Sequence, residues 1–146
     1  MNADRLRRAD RLVELRKRAV DLAQAADAEA TRAVSEAEEL ARMAEARWSN
    51  AAAQPPNTRL SSAEFAAESA WIHGLRERAD RAEVRAAEAR KEAAQKRAEL
   101  VGAKAELRKI ELWREGLAAK ARAVTERKER LAADEVAARA ARRTDT

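Results

Sequence analysis

Residues 61–138, SSAEFAAESAWIHGLRERADRAEVRAAEARKEAAQKRAELVGAKAELRKIELWREGLAAKARAVTERKERLAADEVAA, decide the fold. Two series spaced by seven run through them. One is Phe65, Ile72, Ala79, Ala86, Ala93, Leu100, Leu107, Arg114, Ala121, Lys128 and Glu135. The other, three residues on, is Glu68, Leu75, Ala82, Ala89, Lys96, Ala103, Ile110, Leu117, Val124, Leu131 and Ala138. Together they form an a/d heptad, mostly apolar with a few charged breaks, and a 3.5-residue repeat held this long predicts a coiled coil. About 78 helical residues at 1.5 Å each extend roughly 115 Å. So long a helix cannot bury its own apolar seam, so another segment must cover it.

Composition agrees with that reading. The chain has 146 residues, 39% of them charged and 3% aromatic. Long helices and coiled coils have this balance. Three Gly and two Pro leave little material for turns, and β-branched and aromatic residues are too few for a sheet. There is no Cys, hence no disulfide framework and no thiolate metal site. No apolar run approaches the ~18 residues of a membrane span, and no signal-peptide pattern opens the chain. A soluble, cytoplasmic protein that does not span a membrane is expected. The net charge of +5 is uneven: residues 1–23 sum to +3, 24–80 to −4 and 81–146 to +6. Basic residues mostly alternate with acidic ones, as on a solvated helix surface, so no nucleic-acid partner is expected.

Upstream lies a first helix, over about residues 3–52, with heptads of its own. They are Leu6, Val13, Val20, Asp27, Val34, Ala41, Trp48 and Ala9, Arg16, Ala23, Ala30, Ala37, Ala44, Ala51, with Leu12, Ala19, Ala26, Ala33 and Leu40 widening the stripe. Ala at the seam lets helix axes approach to the short end of 8–10 Å. Gln54-Pro55-Pro56-Asn57-Thr58 then breaks the helix, because proline removes donors and disfavours helix before it. Ser61 and Glu64 have capping-box spacing, and Leu60 and Phe65 stand where a hydrophobic staple would, so a second helix should begin there and run to about residue 142. A loop over about 53–61 between two helices makes an antiparallel αα-hairpin. The expected architecture is all-α: a single antiparallel two-helix coiled-coil hairpin with a longer, overhanging C-terminal helix. Folding about residue 57 places Trp48 near Phe65, Val20 near Ala93 and Leu6 near Leu107. On that register the chain from Trp113 onward has no intramolecular cover, though its seam continues through Leu117, Ala121, Val124, Leu131 and Ala138. An uncovered apolar seam implies a partner.

Catalysis finds no support. A Ser/His/Asp arrangement would have to use the lone His73, and no Gly-rich phosphate loop or metal-ligand cluster is present, so no catalytic residue, metal or cofactor is expected. The carboxylates sit at helix-surface spacing beside Arg or Lys. The aromatics say more. Trp48, Phe65 and Trp71 gather near the expected tip with Ile72 and Leu75. Trp48 and Phe65 should plug the wide end of the hairpin. Trp71 precedes a seam position, so it points off the seam and is a candidate contact residue. Trp113 falls where the first helix is expected to run out, and could cap the hairpin there.

Two local patterns resemble the FliJ/YscO family of bacterial flagellar and type III secretion export. One is Phe65 followed by Trp71-Ile72-x-x-Leu75 after the loop. The other is Leu131-Ala-Ala-Asp-Glu-Val-Ala-Ala-Arg-Ala-Ala-Arg-Arg143. The resemblance covers nearly the whole chain, although the tyrosines common near that family's tip are absent. It implies a two-helix protein similar to a rotary-ATPase central stalk. Its overhang (Leu117, Val124, Leu131, Arg139, Arg142, Arg143) would enter a hexameric export ATPase. Its tip (Trp48, Phe65, Trp71, Ile72, Leu75) would reach an export-gate membrane protein. Export chaperones are further implied partners. The protein would be a monomer when free, cytoplasmic, and peripheral to the inner-membrane export apparatus. The alternative is a homodimeric coiled-coil scaffold, in which the overhang pairs with a second copy.

Overall fold

The computed structural model describes residues 2–145. Helix α1 spans Asn2–Ala52 and helix α2 spans Ser62–Thr144, 51 and 83 residues long. They pack antiparallel as a coiled-coil hairpin, and the described residues contain no strand. The break falls at the two prolines. Gln54 N–H reaches back to the Ala51 carbonyl, and Leu60 N–H to that of Asn57. The cap expected at Ser61 is formed in both directions. Glu64 N–H donates to Ser61 Oγ at 3.2 Å, and Ser61 N–H donates to a Glu64 carboxylate oxygen at 3.3 Å. Two of the N–H groups left free at the helix start are thereby satisfied.

Two compact units make up the chain. One is Leu22–Val101; the other joins the residues up to Asp21 to those from Gly102 onward. The core in each is thin. The buried apolar residues are Ala9 and Val13 in the second unit, and Ala41, Ala51, Leu75, Ala79, Ala86 and Leu100 in the first. Five of these eight are Ala, each contributing little, on the order of 0.8 kcal/mol per methyl-sized group. The heptads place the cover correctly. Every expected seam position of α1 except Arg16 is at least partly shielded, and so is every one of α2 from Glu68 to Ala121 except Arg114.

The register differs from the expected one by about ten residues, roughly three turns. In the unit Leu22–Val101, Glu45 pairs with Arg76, Glu38 with Arg90 and Asp27 with Arg97. In the other unit Asp10 pairs with Arg114. Trp48 therefore lies against Arg76, not Phe65, and Val20 is placed across from about Ala103, not Ala93. Two physical reasons account for this. A register centred on the loop sets one seam series against itself, whereas antiparallel knobs from one series pack against the other. It would also set the seam carboxylate of Asp27 against Ala86. In the observed register Asp27, with a side chain only 13% exposed, meets Arg97 Nε at 2.8 Å. Burying a carboxylate without such a partner is strongly unfavourable.

Candidate partner-docking surfaces

The tip belongs to the unit Leu22–Val101. Because α1 ends about ten residues earlier than a symmetric hairpin would require, the first turns of α2 lack a helical neighbour. Ser61 to Ala67 are all exposed. Phe65 is 59% exposed, which corrects the expectation that it plugs the hairpin end. Trp48 is half-buried, and the Arg76 guanidinium lies 4.5 Å above its ring centroid. Arg76 Nη1 also reaches both Glu45 carboxylate oxygens at 3.1 Å, and its Nη2 reaches Asp80 at 2.9 Å. A guanidinium stacked on the indole and bonded to two carboxylates covers one face of Trp48, which leaves it less open than Trp71. Trp71 is 59% exposed, off the seam as its position implies. Ile72 is half-buried and Leu75 is buried, so neither presents a free face comparable to Trp71.

A shallow groove of about 200 Å³ lies beside these residues, lined by Leu40, Met43, Ala44, Arg47, Leu75 and Arg78. Leu40 and Met43 are exposed. Neither Met43 nor the two arginines stood out in the sequence. The available signal was the row Leu12, Ala19, Ala26, Ala33, Leu40, which widens one side of the α1 stripe and predicts a second apolar line there.

The overhang belongs to the other unit. Leu6 of α1 shares a surface hollow with Ala118, Ala121 and Arg122, so α1 still covers α2 at that level. Leu117, expected in the overhang, is half-buried, and Trp113 sits within the covered stretch rather than at its end. Cover stops after Ala121, and every described residue from Arg122 onward is exposed. Val124, at 44%, and Leu131, at 56%, continue the seam with Ala138. The other seam series turns polar here, at Lys128 and Glu135, so the uncovered line is apolar along one series only. Arg139, Arg142 and Arg143 are exposed near the end of α2. Arg142 and Arg143 lie in its last turn, where cations complement the helix dipole.

Within each unit, ion pairs link the two helices. Glu38 raises the pKa of Arg90, Asp27 that of Arg97 and Asp10 that of Arg114, in each case first through a side-chain hydrogen bond. Apart from Asp27, the groups in these pairs are solvent-accessible, so the pairs orient the helices more than they stabilise them. Among the described residues no group of acidic, His or Cys side chains is arranged to hold a metal. No described helix is long and apolar enough to cross a membrane.

No curated protein and no solved structure matches the chain. The family model of the flagellar FliJ protein matches residues 6–146, nearly its full length. The match takes in both helices, the loop and the overhang, and it agrees with the resemblance carried by the residues after the loop and before Arg143. The chain belongs to the flagellar FliJ protein family, whose members are structural proteins associated with flagellar export.

Proposed function

We propose that this protein acts as a central-stalk-like element of the flagellar export apparatus. The overhang, from Arg122 to Thr144, binds the hexameric export ATPase. The tip, through Trp71 and Phe65 with the neighbouring Leu40–Leu75 groove, binds the export-gate membrane protein. Export chaperones are further partners. The protein works in the cytoplasm, against the inner-membrane apparatus, and is a monomer when free.

The observation that carries this reading is the uncovered seam. Val124, Leu131 and Ala138 keep the heptad spacing of a helix-packing surface with no helix on it. Exposing Val and Leu forgoes roughly 1.5–3 kcal/mol each compared with full burial, so a partner that covers them gains substantially. The chemistry of the overhang adds to it. Residues 122–144 hold seven basic and four acidic side chains, which suits an acidic lining. Leu117 drops out of the proposed ATPase contact because α1 already shields it in part.

The test is stimulation of the purified export ATPase by a chain truncated after Arg122 and by the double variant Val124→Asp, Leu131→Asp. Both should remain helical and lose stimulation. Parental stimulation by both would remove the overhang from the interface. A homodimeric scaffold would use the same uncovered seam for a second copy. Sedimentation at micromolar concentration separates the two, because only the scaffold gives twice the chain mass and loses it in the double variant.

A further inference from the structure

The shallow groove in the unit Leu22–Val101 holds donors without acceptors. Leu40, Met43, Ala44 and Leu75 give it apolar walls, Arg47 and Arg78 are its charged residues, and it encloses about 200 Å³. Leu40, Met43 and Arg47 follow one another at three and four residues, so they stand on one side of α1. None of the six side chains carries an acceptor oxygen. The two guanidiniums only donate, and the Met43 thioether accepts weakly. Elsewhere in the unit, arginines of α2 that reach across to α1 are paired: Arg76 with Glu45, Arg90 with Glu38 and Arg97 with Asp27. Arg47 and Arg78 are exposed and form no ion pair among the described residues.

Met43 also supplies the one sulfur atom among the described residues. The chain has no Cys, and its two methionines are Met1 and Met43. Met43 precedes the seam position Ala44, stands outside the buried core and is 56% exposed. A thioether so open to solvent is within reach of a small oxidant. Its unbranched, polarisable side chain also suits a surface that moulds itself to a partner.

We propose that Met43 is a modification site that regulates this groove: hydrogen peroxide converts its thioether to the sulfoxide, which closes the groove to its partner. The proposal rests on the reading of the groove as part of the tip contact. In the reaction, one peroxide oxygen bonds to Sδ through a sulfur lone pair as the O–O bond breaks. The sulfur loses two electrons, and the other oxygen leaves as water with both peroxide hydrogens. The new sulfoxide oxygen is a polar acceptor set among unpaired guanidinium donors. Arg47, one turn along α1, donates to it and is drawn over the apolar wall. An apolar side chain of the partner must then displace a hydrogen-bonded polar group, which is unfavourable. Methionine sulfoxide reductase restores the thioether, so the change is reversible.

The test uses the full chain before and after hydrogen peroxide treatment, with peptide mapping by mass spectrometry to follow oxygen uptake at Met43. Met43→Leu, which keeps Met1, is treated alongside. In the free chain, exchange of the Arg47 Nε–H with water, read by NMR, should slow once the sulfoxide has formed and stay constant in Met43→Leu. Affinity for the purified cytoplasmic domain of the export-gate protein should fall about tenfold on oxidation, with helicity unchanged, and recover with methionine sulfoxide reductase. Met43→Gln, polar and of good helix propensity, should mimic the fall. For Met43→Leu the affinity should be the same before and after peroxide. The inference is overturned if Met43 stays a thioether while Met1 is oxidised, or if the sulfoxide leaves Arg47 exchange unchanged. It is also overturned if oxidation weakens Met43→Leu as much as the parent. Binding by the reduced chain that survives oxidation overturns the inference and leaves the gate reading standing. No binding by the reduced chain overturns the gate reading and this regulation together.

Discussion

Two stretches of α2 lack a helical neighbour, and they differ in kind. Before Ile72 the helix is uncovered because the loop consumes residues that a symmetric hairpin would have used as α1. What it shows there is Phe65, the uncovered head of one seam series, and the off-seam Trp71, on a capped helix start. After Ala121 the helix is uncovered because α1 has run out. What it shows is the seam itself, Val124 and Leu131 in unbroken heptad phase. An interrupted seam with an exposed indole fits a local, anchor-type contact. A continued seam fits a partner that supplies a helix or a matching apolar lining. The same helix thus offers two modes of recognition, and the difference can be tested one residue at a time.

The largest expected effect belongs to the overhang. Truncation after Arg122 should leave the helical content of the remaining chain by circular dichroism intact and abolish ATPase stimulation. Cutting earlier, after Glu111, should behave differently, because it removes Arg114 and its bond to Asp10 and bares Leu6 and Val13. A measurable fall in thermal midpoint for the shorter chain, absent in the longer one, would confirm where cover ends. Equal midpoints would break the comparison by showing that α1 does not reach past Ile110.

Next in size is Trp71. Its replacement by Ala should weaken binding of the tip partner about tenfold and leave the thermal midpoint within a few degrees. Trp48→Ala should do the reverse. It removes the platform under Arg76 and should cost about 1–2 kcal/mol in denaturant unfolding, with partner affinity little changed. If the two variants exchange behaviour, the tip is held by Trp71 and read through Trp48.

A register measurement follows. A spin-label pair at Val20 and Ala103 should lie within helix-contact distance in one chain, and a pair at Val20 and Ala93 should be roughly 15 Å further apart along the axis. Equal short distances for the second pair would restore the loop-centred register and move the start of the overhang back to Trp113. The smallest effect is expected from Ser61→Ala, about 1 kcal/mol, with hydrogen exchange accelerated at Glu64 and Phe65. No change in exchange would mean that the capped start does not hold the tip in place.

The amino-acid sequence by itself determined a great deal. Pro55-Pro56 ends one helix and the Ser61–Glu64 box begins the next, because missing donors and a reciprocal cap are local matters. The seam residues, from Leu6 to Ala51 and from Glu68 to Ala121, follow from periodicity, since seven residues return a side chain to one face wherever the partner lies. What periodicity could not select was the offset between the two helices. Shifts of one heptad preserve the pattern of Ala against Ala, and small side chains discriminate weakly among them. The offset was decided in three dimensions by the few charged residues within the seam. Asp27 needs Arg97, because a carboxylate so far shielded from water is strongly unfavourable without a partner; in the other unit the exposed Arg114 pairs with Asp10 at the matching offset. That choice, and not the heptad, left Phe65 and Trp71 bare, covered Leu117, and fixed Arg122 as the start of the open seam.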